Sequence, residues 1–193
     1  MLQTQTVESD TFSILTRLMG MTDFQDFCLV GGTALSLLFG HLLRWVCNPA
    51  EIVDLFSRKS QRDLFISSLK YCIQEKGLKP SRIINTHAHL DHIFGNQALV
   101  EAYGIPVYLP EGEHDIYKAA PQVAQMYGLP PFDIPPVDHF LDSNQPLILG
   151  SERLDVLKTP GHSPDEFSFY HAASHSLIAG DVLFRDSIGR TDL

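Results

Sequence analysis

The chain has 193 residues, enough for one sizeable core or a domain with an appendage. A hydrophobic fraction of 44% excludes a disordered composition, and a formal net charge of -9 disfavours nucleic acid, whose phosphates are bound by lysine and arginine. The three cysteines, Cys28, Cys47 and Cys72, form no Cys-x-x-Cys pair, which argues against a disulfide framework and for free thiols in a cytoplasmic protein.

The chain opens with Glu8 and Asp10 rather than a basic region and a long apolar core, so no signal peptide is expected. The longest apolar stretch, residues 34–46, is broken by Gly40, His41 and Arg44 and is too short and polar for a membrane span. Apolar spacing predicts a helix over residues 11–19, a short strand at 28–30, a helix from Thr33 and a helix over 62–75. A strand over 82–85, a helix over 92–103 and a strand over 107–109 follow. Residues 111–127 read as helical with a break at Pro121. Pro130, Pro131, Pro135 and Pro136 make residues 128–138 an extended loop. Strands recur at 146–149, 154–157, 167–171 and 177–179. This alternation predicts an α/β fold, and no internal repeat is visible.

Residues 86–92 read Thr-His-Ala-His-Leu-Asp-His, with three of the nine histidines and a carboxylate in six positions. Imidazole nitrogen and carboxylate oxygen suit zinc, iron and manganese. A strand ending near Asn85 would leave His87 and His89 projecting to one side of extended chain. Asp91 and His92 would begin the next helix. Ligands from two such angles suit two adjacent ions better than one. The helical zinc motif H-E-x-x-H is absent. Downstream, Thr159-Pro160-Gly161-His162-Ser163-Pro164 makes a tight turn that sets His162 at a strand end. The apolar run Leu177-Ile178-Ala179 ends in Gly180-Asp181. Such an aspartate often caps a helix, but beside the other two segments it reads as a ligand.

The order His87-x-His89-x-Asp91-His92, His162, Asp181 resembles the metallo-β-lactamase-fold hydrolases. Gly77-Leu78-Lys79-Pro80, Ile83-Ile84-Asn85-Thr86, Gly104-Ile105-Pro106-Val107-Tyr108, Gly180-Asp181-Val182-Leu183-Phe184-Arg185 and Ser187-Ile188-Gly189-Arg190-Thr191-Asp192 look like its glyoxalase II-like branch. The resemblance covers about residues 70–193 and implies an αββα sandwich, here incomplete. It also implies two divalent metal ions, zinc first, with iron or manganese also suited. His87, His89 and His162 would hold one ion. Asp91 and His92 would hold the other, with Asp181 bridging. Water or hydroxide between the ions would be the nucleophile, and Asp91 could orient it or shuttle its proton. The implied substrate is a small-molecule thioester such as an acylglutathione, or a related ester.

Two departures from the family pattern stand out. The family gives its second metal a further histidine from well beyond the bridging aspartate, and residues 182–193 contain none. The sequence therefore reads as a truncated metallohydrolase over residues 61–193. Residues 1–60 do not read as the family's opening strands. Phe27-Cys28-Leu29-Val30-Gly31-Gly32-Thr33-Ala34-Leu35, Gly40-His41 and Asp54-Leu55-Phe56-Ser57 resemble instead the start of a nucleotidyltransferase-like family found in abortive-infection toxins. In that family Gly-Gly-Thr approaches nucleotide phosphates and an Asp-x-Asp pair holds magnesium. Here Asp54 stands alone and Glu51 lies one position too early, so the pair is broken.

The expectation is a composite: an unrelated N-terminal α/β segment joined to a cytoplasmic metal-dependent hydrolase. It would have no nucleic acid or membrane partner, and its oligomeric state is left open. The alternatives are a catalytically impaired metal-binding remnant or fusion, and a nucleotidyltransferase-like toxin fragment. His171 and His175 read as hairpin-turn residues rather than ligands, and His114 and His139 as ordinary surface or half-buried histidines. Tyr127 and Phe132 read as packing. Arg185 and Arg190 could bind a substrate carboxylate as bidentate forks, or form structural ion pairs. No Gly-x-Ser-x-Gly elbow supports serine hydrolase chemistry.

Overall fold

The computed structural model describes residues 59–75, 77–184 and 187–191. The nucleotidyltransferase-like resemblance of about residues 10–57 lies outside them, as does Arg185. Helix α1 spans Lys59–Glu75, and strand β1 is Ile83–Ile84. Two short helices follow, α2 at Leu90–Ile93 and α3 at Asn96–Tyr103. Strand β2 is Val107–Pro110, and a 3-10 turn, Glu111–Glu113, leads into α4, His114–Met126. The strands β3 (His139–Leu141), β4 (Leu147–Leu149), β5 (Glu152–Lys158), β6 (Phe167–His171) and β7 (Ser176–Ile178) come next. A small hairpin, β8 (Leu183–Phe184) with β9 (Ser187–Ile188), ends the described chain.

Strands β1, β2 and β3 form a parallel sheet in that order, and β4 to β7 form an antiparallel meander. Alternation along β1 shows how they stack. Ile83 packs with Leu69, Ile73, Leu99, Val107 and Ala124 against the helices. Ile84 packs with Leu141, Leu154, Val156, Phe167 and Phe169 against the second sheet. The described residues thus form three layers, helices on a parallel sheet on an antiparallel sheet. Period-2 alternation of apolar residues separates the two cores. The α/β expectation holds, with one helical layer and both sheets of the expected sandwich present among the described residues.

Two of the expected helices differ from the sequence expectation, and each has a physical cause. The helix expected over 92–103 is interrupted at Phe94–Gly95. The carbonyl of His92, which a continuous helix would offer to the N–H of Asn96, instead accepts Asn85 Nδ2 at 2.9 Å. Asn85 Oδ1 in turn accepts Asn96 Nδ2 at 2.8 Å. The break ties His92 to the end of β1. The break expected at Pro121 does not occur, and α4 runs through it. Proline removes one helical hydrogen bond there, but Tyr117, Ala120 and Ala124 are buried along one stripe and hold the helix on the core. Tyr117 also donates its hydroxyl to the carbonyl of Pro135 at 2.9 Å, which anchors the proline-rich loop.

A candidate metal centre

The carboxyl ends of β1, β5 and β7 deliver three loops to one end of the sandwich, the usual location of ligand sites in parallel α/β sheets. The first carries His87, His89, Asp91 and His92, the second His162 and the third Asp181. The N–H of Phe167 donates to the carbonyl of Thr86 at 3.0 Å and joins the first two loops.

His87 is fully buried. Its Nδ1 lies 3.0 Å from Thr86 Oγ1 and 3.2 Å from Glu166 Oε1. With the proton on Nδ1 facing Glu166, the lone pair of Nε2 faces inward, where this buried atom has no hydrogen-bond partner. His162 is set in the same way. Its Nδ1 donates to the carbonyl of Arg190 at 3.0 Å, so the lone pair of Nε2 faces His89 Nδ1 at 2.8 Å. Two imidazole nitrogens that close must share a proton or face a common cation. The ring centroid of His87 lies 4.7 Å from that of His89, 4.0 Å from that of His92 and 5.1 Å from that of His162.

Two groups of donor atoms result, each with its atoms within 4.8 Å of one another: His87, His89 and His162; and His87, His92 and Asp181. The resemblance assigned His87 to the first ion alone, whereas the geometry puts it within reach of both groups. His92 Nε2 is 3.3 Å from Asp181 Oδ1 and 3.6 Å from Asp91 Oδ2. Asp91 lies in the first turn of α2, at the rim of the second group rather than inside it.

Charge sorts the ligands further. Burial, then the neighbouring imidazoles, pushes His87 well below the usual histidine range. Burial and His162 lower His89. Both rings are therefore neutral at pH 7, the form that binds metal. For His92, burial lowers the pKa, but Asp91 and Asp181 outweigh it and hold the ring at about 9. Burial likewise opposes ionisation of Asp181, but His92 holds it below the usual carboxylate range. Without a metal, His92 and Asp181 are thus a charge pair. Coordination through Nε2 requires the His92 proton to leave. The buried, unpartnered Nε2 of His87, with the Nε2 of His92 beside the Asp181 carboxylate, fits a divalent cation.

Sequence reasoning missed the supports of these candidate ligands. Glu166 is fully buried, accepts the N–H of Asp181 at 2.7 Å and faces His87. Burial pushes its carboxyl up to about 7. Gly180 is left-handed at φ +56°, and a Cβ there would stand 2.3 Å from Glu166 Oε1. A Cβ on Gly189 would stand 1.8 Å from the carbonyl oxygen of Asp181. Nothing in the dipeptide Asp165-Glu166 signals its burial, which the fold alone reveals.

The remaining histidines lie elsewhere. His171 is clamped between Glu152 Oε2 at 2.7 Å and Ser174 Oγ at 2.6 Å in the β6–β7 hairpin. His175 meets the Tyr170 hydroxyl at 3.3 Å. His139 stacks near Tyr108 and His114 near Phe140. Tyr127 is exposed, and Phe132 packs on the core. For Arg190, it is the backbone carbonyl that serves the site.

A family model, the metallo-beta-lactamase superfamily, matches residues 52–193, and the chain belongs to that superfamily. The match begins nine residues before the boundary expected at residue 61. The chain is 41% identical over 122 residues to the probable metallo-hydrolase YqgX of Bacillus subtilis, covering 63% of this chain and 58% of that one. It is 32% identical over 122 residues to the hydroxyacylglutathione hydrolase GloC of Haemophilus influenzae, covering 62% and 58%. The crystal structure of TTHA1623 in a di-iron-bound form superposes with a TM-score of 0.59 at 38% identity, covering 66% of this chain and 62% of that one. The chain thus spans about three-fifths of the length of these relatives. Among the described residues no helix is long and apolar enough to cross a membrane.

Proposed function

We propose that the chain is a metal-dependent hydrolase acting on small-molecule thioesters of the acylglutathione type, with zinc as the first candidate metal and iron or manganese as alternatives. The observation that carries this reading is the convergence of His87, His89 and His162 on one point and of His92 and Asp181 on a neighbouring one. His87, His89 and His162 would hold the first ion. His92 and Asp181 would hold the second, with Asp91 at its rim. Divalent metals there would bring bound water to a pKa of about 7 and polarise a carbonyl. The chain's own part is to fix that geometry. Glu166 and the Arg190 carbonyl fix two ring tautomers, and Asn85 pins the backbone of His92. Asp91, with its side chain 17% exposed, takes the proton that water gives up and returns it to the leaving thiolate as the acyl–sulfur bond breaks. The thioester preference draws its support from the relative named a hydroxyacylglutathione hydrolase.

The test is hydrolysis of S-lactoylglutathione by zinc-loaded chain, read as thiol release. Turnover is expected in the parent protein and should fall below detection in His89→Ala. Equal turnover in the two proteins, or none from protein carrying two metals, would refute the assignment.

A further inference from the structure

We propose that Glu113 is a positioning residue of the metal centre, its carboxylate fastening the loop of His87 and His89 to the loop of His162. The inference rests on the reading above that these imidazoles hold a metal. Glu113 closes the 3-10 turn after β2 and is fully buried. It is more than twenty residues from any ligand in sequence. Its Oε2 accepts the N–H of Ala88, which sits between His87 and His89, at 3.0 Å. Its Oε1 accepts the N–H of Asp165, next to Glu166, at 2.8 Å. The hydroxyl of Ser163, next to His162, lies 2.7 Å from both oxygens.

The contact is reciprocal. Gly112 donates its N–H to Asp165 Oδ2 at 2.8 Å, and a Cβ on Gly112 would stand 2.6 Å from Asp165 Cβ. The turn is therefore pressed directly onto the 163–165 segment. Every described partner of Glu113 is a neutral donor, and they occupy both oxygens. Only a carboxylate meets that demand. Glutamine would offer one acceptor and turn an NH2 toward an N–H. Burying an anion is costly without compensation. Here hydrogen bonds from the two loops to both carboxylate oxygens supply it.

The experiment is competitive zinc titration of the full chain, with cobalt absorption as a geometric readout. In Glu113→Gln the zinc dissociation constant should rise about 10- to 100-fold, the size of effect seen when a ligand's support is lost. The cobalt d–d bands should also shift, because the three imidazoles no longer share their geometry. A fold defect alone would leave the bands of the folded fraction unchanged. Should Glu113→Gln fail to fold, Ser163→Ala decides, since it removes one donor and leaves the carboxylate, with about a fivefold rise expected. Wild-type zinc affinity and wild-type cobalt bands in the folded variants would overturn the role of Glu113. A parent chain that takes up no zinc would overturn the metal-centre reading itself, and this inference with it.

Discussion

Replacing His87 with alanine is expected to strip metal from the three-histidine group and to abolish hydrolysis. His87 is common to both groups. It is the ring around which the other three imidazoles gather, at centroid distances of 4.0 to 5.1 Å. Loss of a supporting residue typically weakens metal binding about 10- to 100-fold, and loss of a ligand itself should exceed that range. The fold should survive better than the site, because Glu166 Oε1 keeps the N–H of Asp181 when the imidazole is gone. Zinc titration with circular dichroism of the same samples checks this. His171→Ala is the control: its ring serves the β6–β7 hairpin, so that variant should keep its full metal content. A His87→Ala protein that binds zinc like its parent would refute the place of His87 in the three-histidine group.

Gly180→Ala should damage stability and site together. The residue sits at φ +56°, where a side chain costs about 1–2 kcal/mol. Its new methyl would stand 2.3 Å from Glu166 Oε1 and 2.9 Å from Thr86 Oγ1. Overpacking of that kind adds about 1–3 kcal/mol. Since domains are stable by about 5–15 kcal/mol, the combined loss is a large share of the total. Glu166 cannot retreat without releasing the N–H of Asp181 or the ring of His87, so metal affinity should fall with stability. The urea midpoint of metal-free protein and the zinc content of loaded protein measure the two effects. An unchanged midpoint would show that Glu166 does not occupy this position in solution.

The histidines and the aspartate that the structure brings together were legible in the sequence because they are clustered and punctuated. Three histidines in six residues, a Pro-Gly turn before His162 and a glycine before Asp181 all signal loops at strand ends. The strands were legible because their apolar residues alternate or run together. What supports the ligands was not. Glu113 and Glu166 are acidic residues whose meaning lies in partners distant along the chain, such as Ala88 for Glu113. The break after His92 was hidden because it depends on the Asn85 side chain capturing a helical carbonyl. The continuity of α4 was hidden because proline's local cost is outweighed by a buried stripe that only tertiary packing defines. The short strand β3 pairs in parallel with β2 from within a stretch that follows four prolines, and nothing local announces it.

The most direct test of the two-metal account is elemental analysis of folded full-length chain purified without added metal. The account predicts close to two zinc or iron ions per chain, and folded protein carrying none would contradict it.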